Sequence, residues 1–367
     1  MRTSRPTLPL TLDVSPLLDP HWTGIPVFTR RLANALLREN RVDMEFSCGT
    51  AHIPNECVRA VLRAGSGVLL HEFLAEQPKR FRKTHRDRPL LFPSVKRTSG
   101  HAKREASTVH DVSTLLMPET HLDTNVRHHL EHFAAELRTD EVVFCASEAT
   151  RSALTTLLPG TTSKARVLHQ YVDWPEEFAA LEQNLPRPRL DRYALVMGTI
   201  EPRKNLTLIL DALGSPELLQ SDIRLVVVGR MGWKTEQLLE DLTPPQRERI
   251  QFTGFVSEFV KYRLLRHCEF LVFPSLYEGF GIPALEAMSL GKPVLASRTS
   301  SFPEVIGRAG LYFDPLSASE FAATFADMAA PEQLSQLSRH ALRQSTRFTS
   351  RGMAAPVINW VRGSADR

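Results

Sequence analysis

Phe270-Leu271-Val272-Phe273-Pro274 is an unbroken apolar run, and Ser275-Leu276-Tyr277-Glu278-Gly279-Phe280-Gly281-Ile282-Pro283-Ala284-Leu285-Glu286-Ala287-Met288 follows it directly. An apolar run that does not alternate is the pattern of a strand buried on both faces, as in a parallel sheet. Gly279 and Gly281 then mark a turn, Pro283 suits the first position of a helix, and Gly291 suits its C-terminal stop. The stretch predicts strand, glycine-rich turn and helix, the repeating unit of doubly wound α/β domains. The turn amides and the positive end of the helix dipole favour an anionic or hydroxyl-rich ligand. Glu278 in the turn and Glu286 on the helix can accept hydrogen bonds from vicinal hydroxyls. The chemistry predicted is sugar binding beside a phosphate.

Two carboxylates with seven residues between them carry little information alone. The whole frame, Ser-x-x-Glu-Gly-Phe-Gly-Ile-Pro-x-Leu-Glu-Ala-Met-x-x-Gly-x-Pro-Val from Ser275 to Val294, is specific. It resembles the signature of retaining GT-B glycosyltransferases of family 4, the glycosyl transferases of group 1. The resemblance implies two doubly wound Rossmann-like domains facing a central cleft. It implies an acceptor-binding domain over 1–174, a linker over 175–190 and a nucleotide-sugar-binding domain over 191–347. A closing helix over 348–367 would pack back toward the N-terminal domain.

The residues support that division independently. A chain of 367 residues is long enough for about two domains. In the first part Leu8–Val14, 67–70, 106–109 and 142–145 read as strands, and Thr23–Phe28 reads as a turn. Thr29–Arg38 and Leu122–Leu137 read as helices, the latter with Leu130, Phe133 and Leu137 on one side, and Ser147 reads as a helix cap. Pro175, Pro186 and Pro188 fall in the stretch read as linker. Five further strands are predicted at 193–198, 224–229, 250–254, 270–273 and 293–297. At the end, Met353, Val357 and Val361 have helical spacing that Pro356 should kink or restart.

Composition, at 42% hydrophobic and 23% charged, is that of an ordinary globular protein. Cys48, Cys57, Cys145 and Cys268 form no Cys-x-x-Cys pair, so reduced thiols in a cytoplasmic setting are expected rather than a metal site. Met1-Arg-Thr-Ser-Arg-Pro leads into a strand, not a signal-peptide core, and no apolar run reaches bilayer length. Between Lys79 and Arg104 there are ten Lys or Arg against one acid, Asp87, a local +9 within a chain of net +4. Such a segment can be a solvated loop, or it can draw phosphates or the anionic inner face of a membrane. No nucleic-acid-binding motif accompanies it.

Gly198-Thr199-Ile200-Glu201-Pro202-Arg203-Lys204-Asn205 closes the first strand of the second part. An Arg fork beside a Lys point charge at a strand end suits a diphosphate. The resemblance assigns Arg203 and Lys204 to the leaving nucleoside diphosphate, so a metal-independent enzyme without cofactor is expected. Asp43-Met44-Glu45, the nearest approach to an Asp-x-Asp metal motif, lies far upstream. His110 ends a strand, where a lone histidine is more often a core residue. The resemblance turns it toward the donor sugar, beside Asp111. It also assigns Gly24 to close approach of backbone to phosphate, Glu286 to the ribose, and Glu278 with the amides of Gly279, Phe280 and Gly281 to the hexose hydroxyls. His110 and Glu278 are the candidate catalytic residues, Glu278 either as a nucleophile or as a sugar binder in a front-face attack where the leaving phosphate takes the acceptor's proton. Gly65-Ser66-Gly67 precedes an apolar run and lacks a third glycine, so it is no dinucleotide fingerprint.

The resemblance thins between Arg41 and Arg104, where acceptors bind, and Gln170-Tyr171-Val172-Asp173 replaces the family's Asn-Gly-Val-Asp. The expectation is transfer of a hexose from a nucleotide-diphosphate sugar, GDP-mannose first, to a glycan or lipid-linked acceptor of a surface polysaccharide. The alternatives are a catalytically silent GT-B subunit that binds a partner transferase, or a GT-B nucleotide-sugar epimerase.

Overall fold

A computed structural model describes residues 7–20, 22–49, 51–76, 86–96, 98–188, 190–233 and 242–363. The chain divides into two compact units, one of Met1–Val112, Arg127–Tyr171 and Phe348–Arg367, the other of Ser113–Val126 and Val172–Arg347.

The first unit is built on β1 (Leu8–Asp13), β2 (Val42–Cys48), β3 (Ala51–Ile53), β4 (Leu90–Phe92), β5 (Glu105–Val109), β6 (Val142–Cys145) and β7 (Ala165–Val167). Their order is β3-β2-β1-β4-β5-β6-β7, parallel except for the β2–β3 hairpin. Leu10, Leu12, Phe28, Leu32 and Phe46 are buried in its core. The second unit is built on β8 (Tyr193–Met197), β9 (Arg224–Val228), β10 (Ile250–Gly254), β11 (Leu271–Phe273), β12 (Val294–Ser297) and β13 (Gly310–Phe313). All its pairs are parallel, in the order β10-β9-β8-β11-β12-β13. In each sheet the chain first grows outward to one side and then restarts on the other. The reversal falls between β1 and β4 in the first sheet and between β8 and β11 in the second. Ligands of doubly wound sheets bind at the carboxyl ends of the strands flanking such a switch point.

Four local expectations are revised. Residues 67–70 do not form a strand; Val68–Glu76 is a helix, because a short apolar run has the same pattern in a buried helix. Thr23–Phe28 is not a turn throughout: the helix Ile25–Leu37 begins inside it, with Pro26 in its first turn and Gly24 as its N-cap at φ 53. Residues 175–190 contain the helix Glu176–Gln183, since Pro175 and Pro186 flank it instead of interrupting it. Phe178 packs 5.2 Å from Phe259, and Glu182 pairs with Arg263 at 2.5 Å and His267 at 2.6 Å. The stretch is thus fastened to the second unit. Pro356 does not break the last helix, which runs over Ser350–Arg362. Burial of Met353, Ala354, Val357, Trp360 and Val361 in the first unit's core outweighs the one backbone bond that proline removes. On the helix Asp123–Arg138, Phe133 and Leu137 are buried while Leu130 is 71% exposed.

Lys79, Arg80, Arg82, Lys83 and Arg97 of the basic segment lie outside the described residues. Four of the rest are paired with acids. Arg88 pairs with Asp43 at 2.9 Å, Lys103 with Asp87 at 2.6 Å and Arg104 with Glu141 at 2.6 Å. Lys96 is buried between Glu105 and Asp140, 2.6 Å from each. Among the described residues no helix is long and apolar enough to cross a membrane.

Candidate ligand site at the second sheet's switch point

The turn after β8 carries Arg203 and Lys204 on a short 3-10 helix, Pro202–Lys204, that ends at Asn205 in the left-handed region, φ 55. The turn after β11 carries Glu278. Because β8 and β11 are neighbours in the sheet, the two turns meet although some seventy residues separate them in the chain. Leu276 N–H donates to the Arg203 carbonyl at 2.9 Å, and Asn205 Nδ2 donates to the Pro274 carbonyl at 3.1 Å. Arg203 Nη1 donates to the Tyr277 carbonyl at 2.8 Å and to Glu278 Oε1 at 3.2 Å, while Nη2 donates to Glu201 Oε1 at 2.6 Å. Lys204 Nζ donates to the same Glu278 oxygen and lies 5.4 Å from the centre of the Phe273 ring.

Glu278 is only 9% exposed. Burial raises its pKa, but Lys204 and Arg203 outweigh burial and hold the carboxyl below the usual carboxylate range. It is therefore ionised at neutral pH. A third turn, after β12, supports it from behind: Glu278 N–H donates to Ser300 Oγ at 2.9 Å and Ser301 Oγ donates to the Glu278 carbonyl at 2.9 Å.

Gly281, at φ 87, is the N-cap of the helix Ile282–Ser289, where a Cβ would stand 3.0 Å from the Phe302 ring. Only glycine fits that conformation easily. The Phe280 ring is buried. Glu286 lies on the same helix and is 2% exposed. Its Oε1 accepts from Lys261 Nζ at 3.0 Å, and Lys261 also sits 5.2 Å from the centre of the Trp174 ring. Trp174 Nε1 donates to Ser289 Oγ at 3.0 Å, which donates to the Glu286 carbonyl at 2.7 Å.

Arg203, Lys204 and Glu278 are thus brought into direct contact, with Gly279, Phe280, Gly281 and Glu286 on the adjoining turn and helix. Gly24 and His110 belong to the first unit. There Phe28 N–H donates to the Gly24 carbonyl at 3.0 Å, and the Phe28 ring meets His110 edge-on at 4.6 Å. His110 Nε2 lies 2.7 Å from the Pro93 carbonyl, which places the proton on Nε2. Burial lowers its pKa more than the Pro93 bond and Asp111 raise it, so the ring is neutral and Nδ1 can accept a hydrogen bond. Sequence reasoning does not single out Glu201, Lys261, Ser300 or Ser301. Of these only Glu201 has a local signal, two residues from Arg203 in the same motif.

Residues 178–347 match the family described as glycosyl transferases group 1. The O-antigen chain mannosyltransferase B of Escherichia coli is 34% identical over 225 residues, 58% of this chain and 58% of that protein. A serotype-specific mannosyltransferase of Escherichia coli is 32% identical over 257 residues, 65% of this chain and 31% of that protein. The chain therefore spans less than two thirds of the length of either relative. Sucrose-phosphate synthase from Thermosynechococcus elongatus superposes with a TM-score of 0.70 at 18% identity, covering 98% of this chain and 99% of that one. That likeness establishes a common fold.

Proposed function

We propose, from a chain whose residues 178–347 belong to the glycosyl transferases of group 1 and whose sheets have the GT-B fold, that it transfers a hexose from a nucleoside-diphosphate sugar with retention of configuration. The observation that carries the reading is the convergence of Arg203, Lys204 and Glu278 at the switch point between β8 and β11. Two cations and an ionised, buried carboxylate at that place suit a diphosphate joined to a sugar. In this reading Arg203 and Lys204 take the diphosphate, Glu286 the ribose hydroxyls, and Glu278 with the amides of Gly279, Phe280 and Gly281 the hexose hydroxyls. Gly24 lets backbone approach the phosphate, and neutral His110 suits a carbon on which positive charge develops.

The bond from the sugar's anomeric carbon to phosphate breaks, and one to the acceptor oxygen forms. The acceptor's proton passes to the departing phosphate. Arg203 and Lys204 supply the counter-charge to that leaving group, so no metal ion is required. The mannosyltransferase names of the relatives support a mannosyl donor, GDP-mannose first, and a surface polysaccharide as product. The first unit takes the acceptor, a glycan or lipid-linked glycan. The anionic-membrane contact expected of the basic segment rests on Lys79, Arg80, Arg82 and Lys83.

Proton NMR of GDP-α-mannose mixed with the protein and methyl α-D-mannopyranoside tests the reading. The expected product is an α-mannoside, formed at a rate unchanged by excess EDTA. A β-mannoside would overturn retention, and loss of turnover in EDTA would overturn the metal-independent assignment.

A further inference from the structure

Among the described residues only Asn205 and Ser300 carry a side chain on backbone of positive φ, at 55 and 46. Both lie in the turns that build the site of the second unit. Asparagine tolerates that conformation well. It closes the Arg203–Lys204 turn, with Nδ2 donating to the Pro274 and Pro315 carbonyls at 3.1 and 2.8 Å. Serine adopts it at a steric cost that glycine would avoid, since its Cβ crowds the following carbonyl. Residues held there against that cost cluster at active sites and ligand clamps.

The bonds around Ser300 show what the strained turn achieves. Side chains of an extended chain alternate between two faces. A left-handed residue in the turn after β12 breaks that alternation, and three consecutive side chains, Thr299, Ser300 and Ser301, meet the turn after β11. Thr299 Oγ1 donates to the Leu276 carbonyl at 3.2 Å, Ser300 Oγ accepts from Glu278 N–H at 2.9 Å, and Ser301 Oγ donates to the Glu278 carbonyl at 2.9 Å. The next residue, Phe302, packs its ring 4.7 Å from that of Phe273 and against Gly281. Glu278 is therefore gripped through both of its own backbone polar groups. One bond between any two residues would tie the turns together. A grip on Glu278 itself fixes where its carboxylate stands beside Arg203 and Lys204.

We infer that Ser300 is a positioning residue for sugar transfer: it sets Glu278 against the donor hexose and is held in a strained backbone to do so. The inference rests on the glycosyl-transfer reading and adds to it a residue outside the glutamate frame. Turnover of GDP-mannose with methyl α-D-mannopyranoside, GDP titration and thermal unfolding of the parent, Ser300→Gly and Ser300→Ala test it. Both variants lack Oγ, and in both kcat falls about tenfold, because a small misplacement of a positioned group slows the reaction by that order or more. GDP affinity is kept, since Arg203 and Lys204 take the diphosphate. Stability separates the two. Ser300→Gly unfolds within about 2 °C of the parent, relief of strain offsetting the lost bond, whereas Ser300→Ala keeps the strain and unfolds lower. Added to Glu278→Gln, which already lacks the carboxylate, Ser300→Gly lowers transfer no further. A kcat equal to the parent's in Ser300→Gly overturns the inference. So does the full tenfold loss on top of Glu278→Gln, or a Tm no higher in Ser300→Gly than in Ser300→Ala. Loss of GDP binding in step with kcat overturns it too, and makes the turn a fold tie. If the parent neither binds GDP nor transfers from GDP-mannose, the glycosyl-transfer reading itself fails and takes this inference with it, an outcome seen without any variant.

Discussion

Glu278→Gln is expected to bind nucleoside diphosphate more tightly than the parent while losing sugar transfer. Glu278 Oε1 occupies the two cations that a diphosphate would use, Arg203 Nη1 at 3.2 Å and Lys204 Nζ. Arg203 and Lys204 depress its pKa enough to outweigh burial, so the carboxylate is charged over the whole neutral range. A phosphate arriving there must displace a carboxylate and then lie beside its charge. Glutamine keeps the shape, removes the repulsion and releases the cations. Affinity for the bare nucleoside diphosphate should rise about tenfold at low salt and less at high salt, where the field is screened. Transfer should fall by about 10²-fold, the order expected when the group that holds the hexose in place is weakened and the reacting carbon is misplaced. Calorimetric titration with GDP and a turnover assay on the same preparation check both arms. Weaker GDP binding in Glu278→Gln would contradict the account, because it would make the carboxylate an orienter of Arg203 and Lys204 in place of their competitor.

Lys96→Ala should destabilise the fold far more than the loss of any surface ion pair. The Lys96 side chain is 1% exposed and its ammonium lies 2.6 Å from both Glu105 Oε2 and Asp140 Oδ1. Glu105 opens β5 and Asp140 shortly precedes β6, so one cation joins the β4–β5 loop to the starts of two central strands. Without it two carboxylates face each other in a site that excludes water. The expected loss is about 3–5 kcal/mol, the range for removing one partner of a buried ion pair. The pH dependence follows in sign. Burial already raises Asp140 in the parent, whereas Lys96 and the 101–102 amides carry Glu105 below its ordinary value despite burial. With Lys96 gone both carboxyls rise, so the penalty is full near pH 8 and shrinks as pH falls toward their unfolded values near 4. Urea unfolding at pH 8 and pH 5 measures it. The triple change Lys96→Met, Glu105→Gln, Asp140→Asn should recover most of the loss. A loss under about 1 kcal/mol at pH 8 would contradict a buried triad.

The second sheet is legible in the chain because strands buried on both faces leave runs such as Tyr193–Met197 and Arg224–Val228, each ended by a glycine. In the first part, β2, β3 and β4 leave no comparable run, and Val68–Leu70 has the look of a strand: three or four apolar residues have the same appearance in either element. Arg203, Lys204, Glu278 and Glu286 are legible through the frame around them. Their partnerships are not. Lys204 and Glu278 meet only because β8 and β11 pair, a property of topology that no local spacing records. Lys261 approaches Glu286 from the helix Glu258–His267 without any motif of its own. The burial of Lys96 is hidden for a related reason: in a stretch so rich in lysine and arginine, composition points to a solvated face, and the two acids that bury it lie on other elements.

Thermal unfolding in the presence of UDP, GDP, dTDP, ADP and CMP, for the parent and for Glu286→Ala, tests the central claim most directly. A ligand at about 100 times its Kd adds roughly 2.7 kcal/mol to the folded state. One nucleoside diphosphate, GDP first, is expected to raise the Tm of the parent and to leave Glu286→Ala nearly unmoved. Stabilisation by none of the five, or equal stabilisation of Glu286→Ala, would contradict a nucleotide site at the switch point between β8 and β11.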